Sequence, residues 1–230
     1  MSVRVVTGAS SGIGAAIARA LAQPGATLVL HGRNEAALAT VADDVRAAGA
    51  EALVRTADLA HEDAVRTLVA ELPERIDLLV NSAGVARLGR IEGLSADDLD
   101  VQWTVNVRAP ALLTREALPR LRAARGLVVF VNSGAGQRAK AGWGGYAVSK
   151  FGLRALADAL REEEADSGVR VTSVYPGRVA TPMQRSVREQ EGGAYRPDDY
   201  LRPEEVAQVV ADVVRLPAGA TVPDVSVRPG

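Results

Sequence analysis

The 230-residue sequence contains no cysteine and only two histidines, His31 and His61. Without cysteine, a disulfide framework, a thiolate metal site and a cysteine nucleophile are all excluded. The two histidines follow no metal-ligand spacing, and both stand where a loop or a helix start is expected. We therefore expect no metal site, and we expect both histidines to be structural or solvated.

Long apolar segments are also missing. The longest apolar runs, such as Leu127 to Val131, have the length of a strand and are far too short to cross a bilayer. Met1 leads directly into the apolar stretch Val3 to Val6, which leaves no room for a signal peptide. The formal net charge is −1, whereas a nucleic-acid partner would require a strong basic excess. These features predict a soluble, cytoplasmic protein that has neither a membrane nor a nucleic acid as its partner.

What the chain does contain is a regular alternation of short β-branched runs and longer helical patterns. The predicted strands are Val3–Thr7, Thr27–His31, Ala52–Thr56, Ile76–Asn81, Leu127–Ser133, Val169–Tyr175 and Asp224–Val227. The predicted helices are Gly12–Gln23, Glu35–Ala48, His61–Leu72, Ser95–Leu121, Gly145–Ser167 and Pro203–Arg215. Strands that are apolar throughout indicate burial on both faces, and strand–helix alternation is typical of parallel sheets. We therefore predict an α/β fold, with a Rossmann-type, doubly wound, seven-stranded parallel sheet flanked by helices, in one domain over residues 1–230.

A glycine-rich loop follows the first predicted strand and precedes an amphipathic helix. It reads Thr7, Gly8, Ala9, Ser10, Ser11, Gly12, Ile13, Gly14. Glycines let the backbone turn tightly and approach a pyrophosphate, and a helix N-terminus supplies free N–H groups and a partial positive charge. Glycine turns without a ligand are common, but this position between strand and helix favours a dinucleotide site.

The end of the second predicted strand indicates which dinucleotide binds. NAD-binding units carry an acid there for the ribose 2′-hydroxyl, whereas an arginine accommodates a 2′-phosphate. Here the strand ends in His31, Gly32, Arg33 and Asn34, and the first carboxylate is Glu35. The sequence therefore favours NADP(H) over NAD(H), with Arg33 as the phosphate ligand. The alternative is that Arg33 is an ordinary surface arginine.

Tyr146 and Lys150 are four residues apart in a predicted helix, so both side chains lie on one face. Lys140 and Lys150 are the only lysines in a chain that otherwise uses arginine. An ammonium about 4 Å from a phenol, at an effective dielectric near 20, contributes roughly 4 kcal/mol, which would lower the phenol pKa by about three units. This predicts that Tyr146 is a general acid–base.

Together these residues resemble the short-chain dehydrogenase/reductase family, in its short branch with the Thr-Gly-x-x-x-Gly-x-Gly loop. Further segments in the right order are similar to family motifs, with one departure, Ser82 in place of an asparagine. They are Asp58-Leu59, Asn81-Ser82-Ala83-Gly84, Asn106, Ser133, and Pro176-Gly177 with Thr181.

The resemblance implies a role for each of these residues. Asp58 and Leu59 would contact the adenine end of the cofactor, Asn81, Ala83 and Gly84 would lie along it, and Pro176, Gly177 and Thr181 would hold the nicotinamide carboxamide. Ser133 would hydrogen-bond the substrate oxygen and Tyr146 would deliver its proton. Lys150 would also bind the nicotinamide ribose, and Asn106 would help to hold a water that connects Lys150 to solvent. Considered alone, Ser133 is equally compatible with a plain strand-end serine, and Asn106 with a residue of a helix kink or cap.

Pro110 predicts an interruption of the long helix at Asn106. Proline cannot donate to the carbonyl four residues earlier and crowds it. We therefore expect the Asn106 carbonyl to lack its usual helical partner and to accept from water instead.

The sequence predicts an NADP(H)-dependent oxidoreductase acting on a small carbonyl or alcohol. Candidate substrate contacts are Gln137, Trp143, Arg178 and Met183, and the polar segment from Arg178 to Leu201 is a candidate lid. Trp143 is equally compatible with a core or interface position, and Arg178 with a simple ion pair. A non-catalytic, NADP(H)-sensing protein is the main alternative, and an isomerase or dehydratase is a weaker one. Members of this family form dimers and tetramers through their fourth and fifth helices, so the resemblance implies that this chain forms a homodimer or homotetramer.

Overall fold

A computed structural model describes residues 2–230, so Met1 of the predicted domain lies outside the described residues. Seven strands form one sheet in which every pairing is parallel. The strands are β1 (Ser2–Val6), β2 (Ala26–Gly32), β3 (Glu51–Thr56), β4 (Leu78–Asn81), β5 (Leu127–Val131), β6 (Arg170–Pro176) and β7 (Asp224–Val227). Their order is β3-β2-β1-β4-β5-β6-β7. The predicted Rossmann-type fold class is confirmed, while the assignment of the whole chain to one domain stays a prediction.

Residues 2–230 contain eight α-helices, six of which pack against the two faces of the sheet. They are α1 (Gly12–Ala20), α2 (Glu35–Ala47), α3 (Glu62–Ala70), α4 (Ala96–Trp103), α5 (Ala109–Ala124), α6 (Gly144–Glu163), α7 (Pro182–Gln190) and α8 (Pro203–Val214). Short 3-10 turns occur at Ile91–Gly93, Gly134–Gly136 and Pro197–Asp199. Among residues 2–230, no helix combines the length and the apolar character that a membrane crossing would need.

The core lies in two layers because neighbouring residues of each strand point to opposite faces. Val6 belongs to the layer under α1, α2 and α8, whereas Val5 belongs to the layer under α3, α5 and α6. Because helices pack on both faces of the sheet, strand β2 is buried over its whole length. The sheet therefore holds its strand ends rigidly in place.

The topology brings the candidate residues to one edge of the sheet. The chain runs outward from β1 to β3 and then crosses to β4 on the other side of β1. A reversal of this kind opens a crevice at the carboxyl ends of the strands, where doubly wound folds bind their ligands. Val6, Asn81, Val131 and Pro176 end β1, β4, β5 and β6 at that edge.

The long predicted helix Ser95–Leu121 was wrong as a single element. Ser95 does cap it, because its hydroxyl accepts from the Asp98 N–H at 3.1 Å. The chain then passes from α4 through a π-helical segment, Thr104–Arg108, into α5. The Ala109 N–H donates to the Thr104 carbonyl, five residues earlier. Pro110 cannot supply the next α-helical bond, so the predicted interruption of the ladder is confirmed.

The predicted lid from Arg178 to Leu201 is not a continuous loop. It contains α7, which begins after Thr181, whose hydroxyl accepts from the Gln184 N–H at 3.1 Å. Pro182 fits the first helical position because its missing N–H would have no helical partner there. A single parallel bridge joins Val179 to Leu201. The segment is thus anchored at both ends.

Candidate active site

A cleft of about 700 Å³ runs along the carboxyl edge of the sheet. Its floor is the turn between β1 and α1. Glycines in this turn let the backbone lie close to the ends of the strands. Gly8 and Gly12 have φ of +68° and +54°. A Cβ on Gly14 would lie 2.3 Å from the Gly8 carbonyl oxygen. Only glycine fits there, so the loop leaves open a shallow cradle at the N-terminus of α1, which suits a pyrophosphate.

Most of the predicted cofactor residues line this cleft. They are Gly8, Ser10, Ser11, Gly12, Ile13, Gly14, Arg33, Asp58, Leu59, Ala83, Gly84, Pro176, Gly177 and Thr181. The structure therefore brings the glycine loop, the end of β2 and the segment after β6 to one continuous surface. Arg33 is exposed at one end of it.

Thr7 and Asn81 are exceptions, because both lie beneath the cleft. The Thr7 hydroxyl, buried between β1 and β4, accepts from the Ser82 and Ala83 N–H groups at 3.0 and 3.1 Å. The Asn81 amide donates to the Thr114 hydroxyl at 3.2 Å. Contact of these two residues with the cofactor stays a prediction, and their side chains form hydrogen bonds beneath the cleft. They fix the backbone that forms the floor.

Tyr146, Lys150 and Ser133 meet at the middle of the cleft. Helix α6 presents Tyr146 and Lys150 on its inner face, where they are only 7% and 4% exposed. The Lys150 Nζ lies 5.8 Å from the centre of the Tyr146 ring and donates to the Val131 carbonyl at 3.1 Å. Ser133 follows β5 and also lines the cleft. The one-face arrangement predicted from the spacing is present.

The protein groups alone do not lower the pKa of Tyr146. Burial raises the pKa of the Tyr146 phenol to about 12, and a hydrogen bond with the Ser133 side chain opposes this only in part. Burial also lowers the pKa of Lys150 to about 8. The Lys150 ammonium lies 5.8 Å from the centre of the phenol ring, and the sequence-based expectation considered its charge without the burial of the phenol. For the protein alone that expectation was therefore wrong, because desolvation of the phenolate is the largest influence on the Tyr146 pKa.

Asn106 lies behind the site, fully buried in the π-helical segment. Its Oδ1 accepts from the Val85 N–H at 2.8 Å, and its Nδ2 donates to the Val85 carbonyl at 2.9 Å and the Ser149 hydroxyl at 3.0 Å. These contacts tie the loop after β4, at Val85, to α6. A direct role in proton transfer has no support from these contacts, and the predicted water on its carbonyl stays a prediction.

Asn132 is a site residue that the sequence patterns missed. Its Nδ2 donates to the Lys150 carbonyl at 3.1 Å, and its Oδ1 accepts from the Ser133 N–H at 2.9 Å. A Cβ on Gly136 would lie 2.4 Å from that Oδ1. Asn132 thus joins the end of β5 to the backbone of α6. Its place directly before Ser133 was the only available signal.

The four candidate substrate contacts divide into two groups. Trp143, Arg178 and Met183 line the cleft, whereas Gln137 does not. Gln137 is exposed on the outer side, where it hydrogen-bonds Ser226 and Arg228, so it was the wrong candidate.

Glu191 joins two of these residues and was also missed. It accepts from both terminal nitrogens of Arg178, at 2.8 and 2.9 Å, and from the Trp143 indole N–H at 3.2 Å. The Trp143 ring stands edge-on to Tyr146, with ring centres 5.9 Å apart. Glu191 therefore connects the C-terminus of α7 to the start of α6. Arg188, three residues earlier, is its one local partner at 2.6 Å, whereas the contacts with Arg178 and Trp143 join distant parts of the sequence and no local pattern could reveal them.

A doubly wound parallel sheet with this glycine turn at its crossover defines a dinucleotide-binding protein. The profile of the short chain dehydrogenase family matches residues 2–192. The chain therefore belongs to the short-chain dehydrogenase/reductase family of oxidoreductases.

Individual proteins agree with this assignment. An uncharacterized oxidoreductase of Staphylococcus saprophyticus is 34% identical over 233 residues, which cover 99% of this chain and 97% of the relative. An alcohol dehydrogenase from the archaeon Thermococcus sibiricus, solved with 5-hydroxy-NADP, superposes with a TM-score of 0.90 at 29% identity and covers 99% of this chain and 96% of its own. A metagenomic short-chain oxidoreductase solved with NADP has a TM-score of 0.85 at 35% identity, with coverage of 100% and 97%.

Proposed function

We propose that the protein transfers a hydride between NADP(H) and a small carbonyl or alcohol, with Tyr146 as the general acid–base. The observation that carries this proposal is the buried corner formed by Tyr146, Lys150 and Ser133, which opens into the cleft. A hydroxyl, a phenol and an ammonium converge there with little exposure to solvent. Such groups are what proton delivery to a developing alkoxide requires.

The cofactor supplies the hydride, and the residues of this chain would handle the proton. Ser133 would donate a hydrogen bond to the carbonyl oxygen and so polarise it. The raised pKa of Tyr146 keeps the phenol protonated at neutral pH, so it is ready to donate in the reducing direction. Lys150, fixed by the Val131 carbonyl, would stabilise the phenolate that remains. The glycine loop would hold the pyrophosphate, and Pro176, Gly177 and Thr181 would hold the carboxamide end.

The test of the proposal is the oxidation of NADPH in the presence of a panel of ketones and aldehydes. The main competitor is a protein that binds NADP(H) and senses it without catalysis. A sensor would bind NADPH and leave the whole panel unreduced. The proton-transfer corner favours the enzyme, because sensing alone gives no reason to bury a phenol and an ammonium together.

We expect Arg33 to select NADP(H). Its guanidinium lies at one end of the cleft and forms no ion pair within residues 2–230. Arg33→Ala should raise KM for NADPH by about 30- to 150-fold, since a charge-assisted bond to phosphate contributes roughly 2–3 kcal/mol. KM for NADH should change little. Steady-state kinetics with both cofactors measures this, and Arg66→Ala on the outer face of α3 is the control. Equal losses for both cofactors would contradict the assignment.

We also propose that the chain forms a homodimer or homotetramer through the outer faces of α4 and α6. Trp103, Val148 and Phe151 are 50%, 60% and 41% exposed there. The Trp103 ring lies 3.3 Å from the position of a Cβ on Gly152, so the two helices form one apolar surface. Such patches mark interfaces more often than free surface.

Sedimentation can test this surface. The wild type should sediment at two or four times the mass of one chain, and Val148→Glu with Phe151→Glu should sediment at the mass of one chain. A buried carboxylate pair at an interface costs several kcal/mol, which is enough to dissociate a moderate dimer. Glu substitutions at Arg66 and Arg115, on other helix surfaces, are the control. A wild type that is monomeric at all concentrations would contradict the proposal.

A further inference from the structure

The charges around the cleft are strongly unbalanced. The chain as a whole has 27 basic and 28 acidic residues. The side chains that line the cleft carry six cations and only two acids. The cations are Arg33, Arg138, Lys140, Lys150, Arg178 and Arg228, and the acids are Asp58 and Asp199. Positive charge is therefore concentrated at this one concave surface, where it raises the local concentration of an anionic ligand.

The dinucleotide accounts for only part of this charge. Arg33 stands at the proposed 2′-phosphate end and Lys150 at the reacting corner. Arg228 is engaged with backbone, because it donates to the Tyr175 and Val227 carbonyls at 2.5 and 3.1 Å. Three cations are left in the half of the cleft beyond Tyr146. We name Arg138, Lys140 and Arg178 the cationic rim.

Two members of the cationic rim, Lys140 and Arg178, contact Trp143. The Lys140 carbonyl accepts from the Trp143 backbone N–H at 3.1 Å. The guanidinium carbon of Arg178 lies 5.6 Å from the centre of the Trp143 ring. The same ring lies edge-on to Tyr146. Arg178 is thus one indole ring away from the proposed proton donor, and Arg138 and Lys140 line the same cleft, so one substrate molecule could reach the rim and Tyr146.

Two members of the rim have no partner of their own. The side chains of Arg138 and Lys140 are exposed, and within residues 2–230 neither forms a hydrogen bond or an ion pair. Arg178, by contrast, is fixed by Glu191. Its other side borders a recess of about 370 Å³ that also contains Arg188 and Arg196. Asp199 is the one acid that borders both spaces. Two free cations beside a fixed guanidinium are suited to an incoming oxyanion.

We propose that the substrate is a carbonyl compound with an anionic oxygen group, a carboxylate or a phosphate monoester, which binds at the cationic rim while its carbonyl faces Tyr146. This inference rests on the proposed function. The Trp143 ring would pack against the carbon chain between the two groups. A purely solvated set of surface cations would instead give no preference for an acid over its neutral ester, and the experiment distinguishes the two cases.

The experiment measures binding, so it does not depend on turnover. Tyr146→Phe, saturated with NADPH, is titrated calorimetrically with keto acids of graded chain length, their methyl esters, and phosphate monoesters of hydroxyketones. We expect one acid series to bind about tenfold or more tightly than its neutral counterpart, a difference of about 1.4 kcal/mol. The preference should shrink as the ionic strength rises to about 0.5 M, because the rim is exposed. The better of the two acid series identifies the anionic group.

A charge-reversed variant, Arg138→Glu with Lys140→Glu in the same background, should lose the acid-to-ester preference. The matched control, Arg66→Glu with Arg115→Glu, carries the same change in net charge outside the cleft and should keep it. Equal affinity for acids and esters, no binding of any acid, or an equal loss in the control would each overturn the inference. The proposed function is judged separately, by NADPH oxidation with the wild type, and it survives if neutral ketones are reduced without any preference for acids.

Discussion

Replacement of Tyr146 by phenylalanine is expected to lower kcat for ketone reduction by about 10³-fold, within the range by which a positioned general acid accelerates a reaction. Tyr146 is only 7% exposed. The Trp143 ring packs edge-on against its ring, and the Ser133 side chain hydrogen-bonds its hydroxyl, so the phenol is held in a fixed position. Removal of one hydroxyl leaves the ring and its packing in place. The loss should therefore fall on kcat, with little change in the fold.

The measurement is steady-state NADPH oxidation, with NADPH binding and thermal unfolding measured on the same protein. The variant should bind NADPH within about threefold of the wild type, a difference of less than 1 kcal/mol. Tyr175→Phe is the matched control, since Tyr175 is also a buried tyrosine but does not line the cleft. Full activity of the phenylalanine variant would exclude Tyr146 as the proton donor. A parallel loss of NADPH affinity would mean that the Tyr146 hydroxyl contributes to cofactor binding and not to proton transfer.

The direction of the pKa shift adds a second readout for the same residue. Because burial raises the pKa of Tyr146 to about 12, the phenol stays protonated across the neutral range. Ketone reduction should therefore not decline through loss of the Tyr146 proton between about pH 6 and 9, well below that pKa. Alcohol oxidation needs the phenolate and should rise with pH over the same interval. A reduction rate that already falls tenfold per pH unit between about pH 6 and 7.5, below the pKa of about 8 at which Lys150 loses its own proton, would contradict this assignment.

The sheet and the glycine turn could be predicted because their signals are local. Strands such as β2 are apolar over their length, and Gly8 to Gly14 follow the first strand directly. Tyr146 and Lys150 could be paired by helical spacing alone. The polar helix α7 was missed because only Gln184 and Val187 are buried, so it shows no apolar stripe. Its Thr181 cap and Pro182 start were readable signals.

Contacts between distant segments could not be predicted. Thr7 and Asn81 match cofactor motifs, but below the cleft the Thr7 hydroxyl accepts from the neighbouring backbone and the Asn81 amide donates to the Thr114 hydroxyl. Glu191 meets Trp143 only when α7 folds back over the start of α6. The phenol pKa was misjudged for a related reason. The sequence spacing shows that a charged lysine lies near Tyr146, but only the packed structure shows how far burial removes the phenol from solvent.

Lys150→Met is expected to abolish turnover and to stabilise the fold at neutral pH. Lys150 is 4% exposed, and its ammonium donates a hydrogen bond to the Val131 carbonyl. Methionine removes the charge beside Tyr146, so kcat should fall by about 10³-fold or more, as for loss of a general-acid component. An activity loss below about tenfold, the range of a peripheral contact, would contradict the role of Lys150.

The stability effect of the same variant depends on pH with a definite sign. Burial lowers the pKa of Lys150 from 10.5 to about 8, so between these values the unfolded chain binds a proton that the folded chain does not. The free energy of unfolding of the wild type therefore rises from pH 8 to 10.5, and below pH 8 the full cost of the buried ammonium remains. Methionine removes that cost, and we expect a gain of about 2 kcal/mol at pH 7 after the lost hydrogen bond is subtracted.

Urea unfolding at pH 7 and at about pH 9.5, below the range in which Tyr146 titrates, measures this difference. The gain should shrink as the pH rises, because the wild type recovers stability and the variant has no group to titrate at this position. Lys140→Met, at the exposed lysine, should leave the change between the two pH values as in the wild type. A variant that is less stable at pH 7, or a gain that grows with pH, would show that the buried ammonium does not destabilise the fold. A loss of activity together with a gain in the free energy of unfolding would identify Lys150 as a residue kept for function at a cost in stability.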